Sequence, residues 1–150
     1  MIFDRTQNDV DTAISIIENK VKKFQPLTEK DIESLEKGTI TINTLNRIEE
    51  KQSYLSNILN SYGYKNIITT KSWTYTDIFD NENMTRLLDN LKTFYELFKV
   101  YKTTPEIPLS IFSFGEVNDV EKFLYDLESV INNMINSFVF LGNEYSLGGL

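Results

Sequence analysis

The sequence predicts a mainly α-helical protein, a compact bundle of about five helices joined by extended connectors that contain aromatic residues. Apolar residues recur every three or four positions in five segments, and most of these segments begin with a capping residue and end at glycine or proline. The 150 residues, 41% of them hydrophobic, are enough for one domain with a buried core. We therefore expect a single helical domain over residues 1–150, with roughly 60% of the chain helical, well above the usual third.

The first two helices have similar start signals. Thr6 and Thr28 are each followed three residues later by an aspartate, a variant of the capping box. Pro26 ends the first helix and Gly38 closes the second. The apolar face predicted for the first helix consists of Val10, Ala13, Ile14, Ile17, Val21 and Phe24.

The third helix has two candidate caps, Thr41 and Asn43, and Gly63 is its natural C-terminal stop. Its buried face is interrupted once, by Gln52. The apolar residues of that face are Leu45, Ile48, Leu55, Ile58, Leu59 and Tyr62.

Residues 64–79 are rich in β-branched and aromatic residues, which indicates a connector with at most one short strand. Asp80 caps the fourth helix, and Pro105 and Pro108 break the pattern after it. The buried face of the fourth helix is predicted to contain Leu87, Leu88, Leu91, Phe94, Tyr95 and Phe98.

The last helix has the widest apolar face, which is typical of the central helix of a bundle. We expect Asn118 to cap it, with Glu121 three residues later, and Gly142 to end it. Residues 143–150 would then form a tail that is flexible or ordered by a partner. The face contains Val120, Phe123, Leu124, Leu127, Val130, Ile131, Met134, Ile135 and Phe138.

The composition excludes several kinds of site. The sequence has no cysteine and no histidine, so disulfides, thiol nucleophiles, imidazole bases and Cys/His zinc sites cannot form. A net charge of −7 argues against binding a nucleic acid backbone. No apolar run approaches a membrane span, and no secretory signal is found. We expect synthesis in the cytoplasm, no membrane partner and no cofactor.

Acidic residues are grouped near helix starts, which permits two interpretations. Paired carboxylates could catalyse glycoside cleavage, as in a cell-wall hydrolase. Capping and interaction with the helix dipole explain the same positions more simply, and the spacing does not match a calcium loop. We therefore predict no catalytic and no metal-binding residues. The groups are Asp4, Asp9 and Asp11; Asp77, Asp80 and Glu82; and Glu116, Asp119 and Glu121.

The sequence contains only three arginines, Arg5, Arg47 and Arg86, each near a predicted helix start. A planar guanidinium binds carboxylates and carbonyls through two donors, which suits a fixed contact better than lysine does. The contact could be an intramolecular brace or a contact with another subunit. If the contact is with another subunit, the three arginines bind a partner, and we treat them as candidate partner-binding residues.

Aromatic residues also occur outside the helical faces. Trp73 and Tyr75 lie in the long connector, Phe112 and Phe114 follow the prolines, and Tyr145 lies in the tail. Loop aromatics either plug onto a neighbouring helix or anchor a protein interface. We treat these five residues as candidate partner-binding residues, with the core interpretation left open.

Five ordered blocks of the sequence resemble a small structural protein of the tail modules of phages and prophages of Gram-positive bacteria. The resemblance spans nearly the whole chain. It implies a helical tail or baseplate component that works by assembly with other virion proteins. The blocks are DRTQNDV at 4–10, LNRIE at 45–49, Trp73 with TDI at 76–78, MTRLLDNL at 84–91 and NDVEK at 118–122.

The leading hypothesis is therefore a non-enzymatic component of the tail tip or baseplate of a phage or phage-tail-like particle. Its partners would be other tail or baseplate proteins, and copies of the chain could form a symmetric ring. Its location would be the virion. An adaptor or inhibitor that binds a host protein is the main alternative, and a cell-wall hydrolase with paired carboxylates is a third.

Overall fold

The computed structural model of the protein describes the backbone of residues 1–147 and the side chains of residues 1–138. The prediction of a mainly helical bundle with five helices is confirmed. No strand forms within residues 1–147, so the connector between the third and fourth helices is irregular. The helices are α1 (Gln7–Ile16, continued by a π-helical segment Ile17–Val21), α2 (Glu29–Gly38), α3 (Ile42–Ser61), α4 (Asn81–Leu97) and α5 (Phe114–Leu147).

Helices α1 and α2 form a hairpin, called the arm below, in which the two helices pack mainly on each other. Both predicted capping boxes are present, at Thr6 and Thr28. The helices approach closely at Gly38, where a Cβ atom would lie 2.2 Å from the Asp9 carbonyl oxygen and 2.5 Å from the Ala13 Cβ. Glycine is therefore required for this packing as well as being the last residue of α2.

The predicted N-terminal caps of α3 and α4 are also present, although α4 ends at Leu97, before the prolines that were predicted to break it. The Thr41 hydroxyl, and not Asn43, caps α3 by accepting a 3.2 Å hydrogen bond from the Thr44 amide. Asp80 caps α4 through a 2.9 Å bond from the Asn83 amide. Gly63, two residues beyond α3, has a φ of +86°, a conformation that glycine adopts without a steric penalty.

Gln52, which interrupts the apolar face of α3, is buried and bonded to α4. Its amide nitrogen donates to the Leu87 carbonyl at 3.0 Å, and its oxygen accepts from the Asn90 amide at 2.8 Å. The interruption is therefore a polar link between two core helices, with its bonding groups paired as burial requires.

Helix α5 begins earlier and ends later than the sequence predicts. It starts at Phe114 because Ser113 and Glu116 form a capping box, in which the Glu116 amide donates to the Ser113 hydroxyl at 3.2 Å and the Ser113 amide donates to Glu116 at 2.8 Å. The prediction that Asn118 caps this helix is wrong, because a complete Ser-x-x-Glu box precedes it.

At the other end, α5 continues past Gly142 to Leu147. A single glycine inside a helix costs only about 1 kcal/mol relative to alanine, so it does not have to end one. Residues 148–150, and the side chains of residues 139–150, lie outside the described part of the chain. The role of the tail, residues 143–150, stays a prediction.

One hydrophobic core joins α3, α4 and α5. Trp73 of the long connector and Ile111 of the last connector complete it. Among the described side chains, α5 contributes more buried apolar residues than any other helix, as its wide apolar face predicts. These are Val117, Val120, Phe123, Leu124, Leu127 and Ile131.

Truncating a core residue of α5 should destabilise the protein strongly. Leu127 is fully buried, and we expect Leu127→Ala to lower the free energy of unfolding by about 2 to 5 kcal/mol, the range for a leucine that leaves a cavity. Urea unfolding followed by circular dichroism would measure it. Leu109→Ala is the matched control, because Leu109 is 95% exposed. Equal losses in the two variants would contradict the assignment of this core.

Candidate functional site

Arg5 and Arg47 bind the same carboxylate, that of Glu121 in α5. The Arg5 Nη1 atom lies 2.5 Å from Glu121 Oε2, and the Arg47 Nε atom lies 2.7 Å from Oε1. The Glu121 side chain is completely buried, and that of Arg5 is 2% exposed. This ion-pair triad connects the segment before α1, helix α3 and helix α5.

Arg86 makes a second such contact, with Glu49 of α3. Its guanidinium donates to both carboxylate oxygens of Glu49 and, at 2.6 Å, to the Thr69 carbonyl. The Trp73 indole and the Lys71 amide also donate to Glu49, each at 3.2 Å. Glu49 therefore ties the long connector to α3 and α4. All three arginines form intramolecular braces, and their contact with another subunit stays a prediction.

The predicted partner-binding aromatics occupy different environments. Tyr75 is 95% exposed and Phe112 is 71% exposed, as an interface anchor requires. Phe114 is half-buried, and the side chain of Tyr145 lies outside the described residues.

Trp73 is not on the surface. It is 4% exposed and packs edge-on against Phe79 with ring centroids 5.6 Å apart. The interface interpretation is wrong for this residue, because its ring is packed in the hydrophobic core and Glu49 accepts a buried hydrogen bond from its indole N–H.

Three of the predicted partner-binding residues, Arg5, Phe112 and Phe114, line one cavity of about 320 Å³. It lies where the base of the arm meets the start of α5. Apolar side chains and short polar residues complete the wall. These further lining residues are Val10, Gly38, Thr39, Ile40, Ser113 and Val117.

Only one of the three guanidinium nitrogens of Arg5 has hydrogen-bond partners among the described residues. Its Nη1 atom donates to the Ile2 carbonyl, to Asn118 and to Glu121. Its Nε and Nη2 atoms are buried, and neither has a hydrogen-bond partner among the described residues; the same holds for Nη2 of Arg47. Buried donors are normally paired, so these three nitrogens are exceptions within an otherwise paired ion-pair triad.

The roles of Glu49 and Glu121 were not predicted from the sequence. Glu121 was predicted as part of a capping group, and Glu49 was not singled out. A signal was nevertheless present, because Glu121 is four residues after Val117 and three before Leu124, inside the apolar face of α5. An acidic residue on a buried face needs a basic partner, and arginine was the residue type to pair with it.

The arm carries a second exposed surface. The apolar residues of the first helix were predicted to form a buried face, but only Ala13 of that face is fully covered, because α1 packs mainly on α2. Phe24, at the turn, is 95% exposed and has a φ of +53°, which is uncommon for a residue other than glycine. The exposed apolar residues of the arm are Ile14, Val21, Phe24, Leu27 and Ile32.

No protein-family model, curated protein or solved structure matches the chain. Within the described residues, no helix is long and apolar enough to cross a membrane. The same residues contain no group of three or more acidic side chains placed to hold a metal ion.

Several acidic side chains accept hydrogen bonds at or near helix starts. Bonds from the Ser110 hydroxyl and from the amides of Phe112 and Ser113 lower the pKa of Glu116 to about 2. Bonds from Lys20 and Thr28 lower the pKa of Asp31 to about 2. Bonds from Lys71 and Thr74 lower the pKa of Asp77 to about 2. The pKa values of Asp9 and Asp80 are also lowered by their capping bonds.

These lowered pKa values predict loss of stability in acid. A carboxyl whose folded pKa lies below its unfolded value stabilises the fold above the unfolded pKa, and this contribution is lost as pH falls through the folded value. The window runs from the ordinary values of 3.8 and 4.5 down to about 2. Asp119 acts in the opposite direction, because burial and the charge of Glu116 raise its pKa.

We therefore expect the free energy of unfolding to fall between pH 5 and pH 2, since the lowered groups outnumber the raised one. Urea unfolding at a series of pH values would measure the change. Glu116→Gln should make the decline shallower, because it removes one of the groups that must be protonated. A stability that stays constant over this range would contradict the assignment.

Proposed function

We propose that the protein is a non-enzymatic structural component of a phage or phage-tail-like particle, in its tail tip or baseplate, and that it acts by protein–protein assembly. The observation that carries the proposal is the convergence of Arg5, Phe112 and Phe114 around one cavity. These residues were selected as partner-binding candidates from sequence alone, and they come from segments more than a hundred positions apart. The resemblance of the ordered sequence blocks to tail proteins supplies the particle context.

The remaining surface supports the same proposal. Phe112 and Tyr75 project aromatic surface into solvent, and the arm exposes a further set of apolar residues. Exposed apolar surface of this kind marks protein interaction sites. A protein that functioned alone would gain little from keeping so much of it uncovered.

The carboxylates favour the structural hypothesis over the hydrolase hypothesis. Asp9, Asp80 and Glu116 accept capping bonds, and Glu121 is enclosed by two arginines. A glycosidase needs one carboxyl with a raised pKa and a second, ionised one on the two sides of an open cleft. Asp119, whose pKa is raised, and Glu116 come nearest to this pattern among the described residues, but Glu116 is bound to the amides of Phe112 and Ser113 as part of a helix cap. We accordingly propose that the protein is not an enzyme and expect no clearing of host cell walls by the purified chain.

Replacing Phe112 with alanine tests the proposed docking surface. Because the side chain is 71% exposed, we expect the free energy of unfolding to change by less than about 0.5 kcal/mol. We expect incorporation into particles to fall about tenfold, the effect of losing roughly 1.4 kcal/mol at an interface anchor. Quantitative mass spectrometry of particles purified from the strain that encodes the chain would measure incorporation.

Tyr54→Ala is the matched control, since Tyr54 is a half-exposed aromatic on α3 away from the cavity. It should leave incorporation unchanged. Absence of the wild-type chain from purified particles would overturn the proposed function and favour the adaptor that binds a host protein. Normal incorporation of Phe112→Ala would show that the docking surface lies elsewhere. The exposed apolar residues of the arm would then be the next to mutate.

A further inference from the structure

We propose that residues 69–73 of the long connector form an open β edge, to which an extended, basic segment of a partner chain adds as a strand. The edge follows from hydrogen bonds within this chain, whereas the assignment of the partner to the particle rests on the proposed function. This surface shares no residue with the cavity that Phe112 lines.

Side chains of α3 and α4 bind this segment along one side as a neighbouring strand would. The Asn90 side chain accepts from the Thr69 amide at 3.3 Å and donates to the Thr69 carbonyl at 2.9 Å. Asn46 makes the same two bonds with Trp73, at 2.7 Å and 3.1 Å. In an antiparallel sheet, a residue exchanges such a pair of bonds with the residue opposite. The two asparagines therefore occupy the place of a neighbouring strand.

The bonds on the helix side alternate along the segment. Between these two residues, the Lys71 amide donates to Glu49 at 3.2 Å. Residues 69, 71 and 73 thus direct their amides toward the helices, with the period of two that an extended chain has. The main-chain groups of Thr70 and Ser72 then point to the opposite side. Both residues are exposed, and their amides and carbonyls form no hydrogen bond with the described residues.

The composition of the segment also favours a strand. Ile68, Thr69 and Thr70 are β-branched, yet residues 1–147 supply no second strand to pair with them. An unpaired edge is a template for an extended peptide of another chain. Ile67 and Tyr75, at the two ends of the segment, are 93% and 95% exposed. A strand that extends past either end would cover one of these side chains.

Two grooves flank the segment, and each contains an exposed carboxylate. The groove on the α4 side has a volume of about 620 Å³ and contains Glu82. The groove on the α3 side has a volume of about 170 Å³ and contains Glu50. The side chains of an added strand point alternately to its two sides, so they would reach both grooves. Such pockets for alternate side chains give strand addition its specificity.

The charges of the grooves favour lysine or arginine on the added strand. The basic residues of this surface already have counter-ions, because Lys71 pairs with Asp77 at 2.7 Å and Arg86 binds Glu49. The two groove carboxylates, in contrast, form no ion pair within the described part of the chain. A second copy of this chain would bring the same carboxylates to the interface. The partner is therefore a different chain with a basic segment.

Hydrogen exchange tests whether the edge is open. In the isolated full chain, followed by ¹H–¹⁵N NMR, the amides of Thr70 and Ser72 should exchange about tenfold faster than those of Lys71 and Trp73 or more. The second pair must break a hydrogen bond before it can exchange. Equal protection of the four amides would overturn the open edge.

Three hexapeptides test the added strand and its charge. The isolated chain is titrated with acetylated, amidated peptides that alternate threonine with lysine or threonine with glutamate. The third is the lysine peptide N-methylated at every main-chain amide, so that it keeps the charge but cannot donate. We expect the lysine peptide to bind about tenfold more tightly than either of the others, and to shift the amide signals of Thr70 and Ser72.

The outcomes separate the two parts of the proposal. Equal binding of the lysine peptide and its N-methylated form would overturn the added strand. Equal binding of the lysine and glutamate peptides would overturn the basic character of the partner. Shifts confined to other parts of the chain would overturn the location.

Two substitutions at one position isolate the main-chain donor. Ser72→Pro removes the outward N–H, and proline is tolerated in an edge strand. It should weaken binding of the lysine peptide about tenfold, whereas Ser72→Ala keeps the N–H and should bind as the wild type does. Equal binding by the two variants would overturn the role of this edge.

If Ser72→Pro does not fold, charge reversal decides. Glu82→Lys should abolish the preference for the lysine peptide over the glutamate peptide. Glu106→Lys changes the net charge equally at an exposed residue outside both grooves and should keep the preference. An unchanged preference in Glu82→Lys would overturn the groove as the site of the basic side chains.

Incorporation into particles identifies the source of the strand. If the proposed function is correct, Ser72→Pro should enter particles about tenfold less than Ser72→Ala. Selective peptide binding without this difference would uphold the open edge and overturn a particle protein as its partner. Absence of the wild-type chain from particles would overturn the proposed function and leave the result of the peptide titrations standing.

Discussion

Replacing Glu121 with glutamine is expected to lower the free energy of unfolding by about 3 to 5 kcal/mol, the usual effect of removing one partner from a buried ion pair. The carboxylate is completely buried and is the shared counter-ion of Arg5 and Arg47. Glutamine fills the same volume but is neutral, so two guanidinium groups would lose their counter-charge. Urea or thermal unfolding of the isolated chain would measure the loss.

Two further variants distinguish charge from packing. Glu106→Gln is the matched control, because Glu106 is exposed, and it should change stability by less than about 0.5 kcal/mol. Replacing Arg5, Arg47 and Glu121 together with methionine should recover much of the loss, since an apolar substitute for a complete buried ion cluster is often neutral or stabilising. A loss below about 1 kcal/mol in Glu121→Gln would show that the triad is solvated.

Trp73→Ala should also cost about 3 to 5 kcal/mol, the range for truncating a buried aromatic residue. The indole is 4% exposed, contacts Phe79 and donates to Glu49 at 3.2 Å. Its removal would leave a cavity and take one donor from Glu49. Thermal unfolding, with the fluorescence of the tyrosines or circular dichroism as the signal, would measure the effect.

The neighbouring Tyr75 provides the control, because it lies two residues further along the same connector and is 95% exposed. Tyr75→Ala should leave stability nearly unchanged. Trp73→Phe should lie between the two, since it keeps most of the ring but loses a hydrogen bond to a carboxylate, worth about 1.5 to 3 kcal/mol. A stable Trp73→Ala protein that fails to enter particles would restore the interface interpretation of this tryptophan.

The starts of the first four helices were predictable because their signals are local. Thr6, Thr28 and Asp80 each bond to an amide within three residues, so the spacing in the sequence contains the whole interaction. The start of α5 was missed although its signal is equally local. The Ser-x-x-Glu box at Ser113 is present in the sequence, but Asn118 lies closer to the apolar repeat and is therefore the cap that the repeat indicates.

The candidate site could not be predicted in the same way, because its residues meet only through the tertiary fold. Arg5 and Glu121 are 116 positions apart, and no periodicity relates them. The sequence could show that arginine is rare and that Glu121 interrupts an apolar face, but not which arginine pairs with which acid. The exposed face of α1 was misread for a related reason. Periodicity shows that a helix is amphipathic, but not how much of its apolar face another helix covers.

The bonds between Arg5 and Asn118 have a mechanical consequence. The Arg5 amide donates to the Asn118 side chain at 3.2 Å, and that side chain donates back to the Arg5 carbonyl at 2.9 Å. Because α1 and α2 pack mainly on each other, a load applied to the tip of the arm reaches α5 through this pair and the neighbouring Arg5–Glu121 contact. The arm is thus joined to α5 beside the cavity that Arg5, Phe112 and Phe114 line, and a force that tilts the arm acts on the buried ion-pair triad.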